Sequence, residues 1–115
     1  MRKQIVESAA FEVATQVRAV EDLIENALEE IAELQGRMIR GRAAAGIATA
    51  TGHDAFEHLA SALQGLITAR GKMANCHVAL VDAKQFIPGL RTVGFGDVSE
   101  CPPPPKGSVD LRIVA

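Results

Sequence analysis

The chain has 115 residues, 48% of them apolar and only 3% aromatic, with a formal net charge of −2. That length accommodates one domain, the near-neutral charge argues against a general nucleic-acid binder, and no apolar run approaches the roughly 20 residues that cross a bilayer. Ala, Val, Leu and Ile supply the apolar content, with no Trp and no Tyr, which suits closely packed helices better than a thick globular core.

The first long segment carries the strongest pattern. Val6, Ala10, Val13, Val17, Val20, Ile24, Ala27, Ile31, Leu34 and Met38 follow one another at alternating spacings of four and three residues. That is the seam of a left-handed helical supercoil. Ile5, Ala9, Ala14, Leu23 and Leu28 widen the stripe beyond what two strands bury, so a bundle of more than two helices is expected. The charge here is lopsided, because residues 1–36 hold eight acids against three bases. Between Val20 and Gly36 every charged residue is acidic, namely Glu21, Asp22, Glu25, Glu29, Glu30 and Glu33. Like charges four residues apart do not support an isolated helix, so packing must hold this one.

A joint comes next. The stretch GRAAAGIATATG, from Gly41 to Gly52, mixes helix-forming Ala with turn-permitting glycines, and residues 37–53 carry three arginines and no acid. The first helix runs into this stretch before the chain reverses.

The second helical segment repeats the seam with Phe56, Leu59, Leu63, Leu66, Met73, His77 and Leu80, interrupted by Arg70, and Ala60, Ile67, Ala74 and Val81 form an adjacent row. Pro88-Gly89 stops it. Similar helix lengths and a short joint predict an antiparallel hairpin. If the reversal centres near residues 47–49, facing residue numbers sum to about 95–98. Glu25 then meets Arg70 and Lys72, Glu12 meets Lys84, and Arg37 and Arg40 meet Glu57 and Asp54, with Arg70 laying its stem along the seam toward Glu25.

The remaining residues, 89–115, are of another kind. LRTVGF and SVDLRIVA have β-like patterns, with Val109, Leu111 and Ile113 alternating with polar residues, and four prolines between them favour an extended rod. Either the tail is free, or one or both of its strands pair across protomers or dock onto a protein partner.

Chemistry is sparse. TGHDAFEH places His53, Asp54, Glu57 and His58 close together, but the two histidines lie about 140° apart around a helix and neither HExxH nor ExxH spacing is present. Asp54 followed by Glu57 reads instead as an N-cap with a capping-box acid, with Thr51 as a second capping option. His77 stands at a seam position, as a packed core residue or a pH-sensing or cross-protomer site. Its neighbour Cys76 points about 100° away on a helix, so the two do not form a nucleophile–base pair. No phosphate loop, GxSxG or paired-cysteine zinc pattern is present.

These readings converge on an all-α fold: a hairpin over residues 1–88, with helices at about 3–45 and about 54–86 joined by a turn at about 46–53, plus an extended tail over residues 89–115. A lone hairpin exposes too much apolar surface, so pairing into a homodimeric four-helix bundle is expected. The seam residues Val13, Val17, Val20, Ile24, Ile31, Leu34, Leu59, Leu63, Leu66, Met73, His77 and Leu80 build it, and Val109, Leu111 and Ile113 are the tail's docking residues. No catalytic residue, cofactor, metal, nucleic acid or membrane is expected. An oligomerisation or protein-interaction module is the leading reading. The alternative is a ligand- or metal-binding bundle in which His77 and Cys76 of two protomers meet. Glu7 and Glu12 precede any apolar run, unlike a signal peptide, and Cys76 and Cys101 form no CxxC; a cytoplasmic protein with free thiols is expected.

Overall fold

The structure, a computed structural model, describes residues 2–90, and the expectations for Val109, Leu111, Ile113 and Cys101 lie outside the described residues. All regular structure among them is helical: α1 spans Arg2–Ala45 and α2 spans His53–Lys84. The molecule is elongated, 67 Å along its longest axis, close to the ~66 Å rise of a 44-residue helix. Its radius of gyration of 20.5 Å far exceeds the ~13 Å of a compact globule of about a hundred residues. The helices pack against each other, and the Glu21–His77 and Glu25–Arg70 contacts fix them as antiparallel.

The reversal is built from backbone geometry. Gly46 takes a left-handed φ of 68°, and its N–H donates to the Ala43 carbonyl while the Ile47 N–H donates to the Arg42 carbonyl. Those two bonds are the Schellman pattern, which satisfies carbonyls that the end of a helix leaves unpaired. The Arg42 guanidinium then donates to the Ile47 carbonyl at 2.9 Å, so one residue grips the turn from both its backbone and its side chain.

The start of α2 differs from the capping expectation. Gly52, also left-handed at φ 75°, is the N-cap, with no side-chain capping bond. His53 is already helical, so Asp54 sits two residues past the cap, in the first turn, where it complements the helix dipole. Glu57 pairs with His53 at 3.1 Å rather than closing a capping box.

The helix bounds fall within two residues of those expected, and α1, with 44 residues, outreaches α2, with 32, at the open end. The overhang is partly covered by the segment after α2. Gln85, Phe86 and Ile87 continue in tight backbone-bonded turns, and Gly89 at φ 91° brings the chain alongside the Lys3 side chain. Leu90, only 2% exposed, is the one buried apolar residue among those described.

Replacing Gly46 or Gly52 with Ala should lower hairpin stability by about 1–2 kcal/mol, the cost of a left-handed L-residue. Gly65 and Gly71 have no atom within 4 Å of where a Cβ would stand, so Gly65→Ala and Gly71→Ala should each stabilise by up to about 1 kcal/mol. Thermal unfolding followed by circular dichroism separates the two pairs; equal effects of all four would contradict the turn geometry.

Candidate functional site

The contacts of His77 with Glu21 and of Arg70 with Glu25 cross the hairpin, and they behave differently. His77 is 5% exposed, and its Nδ1 lies 3.2 Å from Glu21 Oε2. An ionised carboxylate only accepts, so the Nδ1–H donates, which orients the ring within the seam. Arg70 instead carries its head in solvent, where it forms an ion pair with Glu25. The hydrogen bond to Glu25, and then the charge of that carboxylate, raise the guanidinium above its ordinary value, so it stays charged at any working pH. Ala69, half-buried, takes the inward position beside it.

Arg37 and Arg40 do not reach Glu57 and Asp54 as expected. Both turn back to Glu33 on their own helix, at 3.0 and 3.5 Å. A neighbour one or two turns away on the same face is met with less ordering of long side chains than a partner on another helix.

Of the seam residues, Val17, Val20, Ile24 and Ile31 on α1 and Leu59, Leu63, Leu66 and Met73 on α2 are half-buried, and His77 is buried. Val13, Leu34 and Leu80 remain 49%, 47% and 41% exposed. On α2 the inward positions shift near the carboxyl end, where Val81 is half-buried and Leu80 is not.

The exposed residues are not evenly placed. At the open end of the hairpin, where α2 stops and the chain crosses toward Lys3, a cleft of about 180 Å³ lies between the helices. Ala10, Val13, Ala14 and Val17 line it from α1, and His77, Leu80, Val81, Ala83 and Lys84 line it from α2. Ile87 and Leu90 complete the wall. The cleft is apolar except for the His77 ring and Lys84. Cys76 is exposed, so within one chain it shares no site with the ring beside it.

Sequence reasoning named His77, Val13 and Leu80 but missed Glu21, Ile87 and Leu90. The register sum of about 98 already placed Glu21 opposite His77. Nothing in the sequence marked the return of Leu90 onto α1, because Pro88-Gly89 reads as the end of the hairpin.

Among the described residues no three His, Cys, Asp or Glu side chains come together as a metal-ion site, and no helix is long and apolar enough to cross a membrane. No family model, curated protein or solved structure matches the chain.

Because His77 is buried and Arg70 is not, their carboxylate partners should differ in weight. Glu21→Ala removes the acceptor beside a buried ring and should cost about 1–3 kcal/mol. Glu25→Ala should leave chemical denaturation midpoints nearly unchanged. The reverse ranking would show that His77 takes little support from Glu21.

Proposed function

We propose that this chain is a helical oligomerisation and protein-interaction module, working through apolar surface that a single hairpin leaves uncovered. One observation carries the reading. Across residues 2–90 only His77 and Leu90 are buried, while twelve large apolar side chains, from Ile5 to Ile87, are substantially exposed. A two-helix unit with so little core holds only marginal stability alone. Seam residues left exposed by the single hairpin, Val13 and Leu80 among them, contribute to the core of a homodimeric four-helix bundle in this reading. The exposed thiol of Cys76 suits a reducing compartment such as the cytoplasm. Val109, Leu111 and Ile113 alternate as a docking strand does, and they supply contact with a protein partner.

Light scattering coupled to size exclusion tests the core of this proposal. A mass of about twice 12.2 kDa is expected at micromolar concentration, and a folded monomer under those conditions would overturn it. Deleting residues 91–115, which keeps Leu90, should spare the oligomer and abolish partner recovery in a pull-down; recovery unchanged would remove the docking role. Metal analysis of the purified dimer addresses the alternative. Stoichiometric metal lost in His77→Ala and Cys76→Ala would favour a ligand-binding bundle over a purely associative one.

A further inference from the structure

Resting on the reading that the chain self-associates, we infer that the second copy docks at the open end of the hairpin, antiparallel, and that the two copies do not overlap along their full length. The occupant of the cleft is the matching cleft face of another copy.

The exposed apolar residues point to that end. Ile5, Phe11, Val13, Val78, Leu80, Phe86 and Ile87 all belong to it, seven of the twelve large exposed ones. Three of these, Val13, Leu80 and Ile87, line the cleft itself and are 49%, 41% and 39% exposed. They form one coherent patch in which each side chain can fill space left by the facing copy, the self-complementarity that a two-fold interface requires.

Charge decides between this arrangement and full overlap. The middle of α1 carries the acidic belt from Glu21 to Glu33. Within the chain it is answered by His77 at Glu21, Arg70 at Glu25, and Arg37 and Arg40 at Glu33; Asp22, Glu29 and Glu30 take no part in these four contacts. Full overlap, parallel or antiparallel, sets one belt beside the other. A two-fold axis near Val13 keeps the belts apart. It also brings Arg2 and Lys3 of each copy level with Glu21, Asp22 and Glu25 of its partner, turning repulsion into attraction.

The area is sufficient. Overlap from the start of α1 to about Glu25 covers roughly 36 Å of two helices each about 10 Å wide, or about 700 Å² per copy. A standard stable interface buries about 800 Å² per partner.

The exposed Cys76 provides the ruler. With Cys101→Ser leaving a single thiol, spin labels on Cys76 in the dimer lie about 24 Å apart along the axis if the two-fold passes near Val13. Antiparallel full overlap reduces this to about 12 Å, and parallel overlap brings the labels level. A double electron–electron resonance peak between about 34 and 40 Å is the expected result. The lateral offset and label arms that lift about 24 Å to about 40 Å lift full antiparallel overlap to at most about 34 Å and parallel overlap to about 32 Å. A peak outside that range from a protein of dimeric mass overturns the geometry and leaves self-association standing. A monomeric mass overturns both.

A second measurement does not depend on the label. Leu80→Arg should raise the dimer dissociation constant at least tenfold, and Ile39→Arg, exposed near the turn, should change it less than threefold. Arg2→Glu with Lys3→Glu should weaken the dimer at low salt and lose that effect at high salt. Equal effects of Leu80→Arg and Ile39→Arg would overturn the assignment. So would deletion of residues 91–115 converting a monomer into a dimer, since the chain's own next segment would then be the occupant.

Discussion

Two helices laid side by side can bury only one stripe each, and that limit governs this molecule. A stripe about one third of a helix wide, set against a single partner, leaves its flanks in water. Here the limit is reached in full: no residue of α1 is buried, and α2 buries only His77. The apolar seam is therefore both what pairs the helices and what remains unsatisfied after they pair. In the proposed dimer, stability and association would draw on the same residues, so a change in one of them would move both.

The polar contacts decide which pairing occurs more than how strong it is. Sliding an antiparallel pair by one turn keeps apolar residues facing apolar residues, so the seam alone specifies register weakly. A buried ring held by a carboxylate, as His77 is by Glu21, makes a slipped register leave a polar group unpaired in the seam, a device familiar from single polar residues in coiled coils. Arg70 and Glu25 repeat the match in solvent, where the gain in stability is small and the positional information is the same. Both contacts lie where the belt of acids would otherwise oppose packing.

Much of this was legible in the sequence because helical periodicity is a long signal. Ten seam positions at alternating spacing outvote any local ambiguity, and they announced an all-helical hairpin; Arg70 facing Glu25 followed from the same register. What escaped was decided by backbone conformation at single residues. Asp54 looks like a cap until Gly52 adopts left-handed geometry and caps the helix two residues earlier. Arg37 and Arg40 look like cross-helix partners until the nearer Glu33 satisfies both. Leu90 was illegible for a different reason. Its burial depends on α1 outreaching α2 and on Gly89 steering the chain back, a long-range consequence that no local pattern carries.

The two ends of the hairpin have diverged in character, and the divergence follows from how each is closed. At the turn, main-chain bonds and the Arg42 side chain satisfy the backbone, and of the large apolar side chains Ile39 and Ile47 are exposed there, fewer than at the open end. At the open end no turn joins the helices. A cleft lies between them there, and among the described residues Ile87 and Leu90, beyond α2, return to line it. A rod that is polar at one tip and apolar at the other has an intrinsic direction for assembly. Association through the apolar tip extends the particle along its axis more than a full side-by-side overlap would. In the proposed dimer the arginine-rich turns lie at opposite extremes, far from each other.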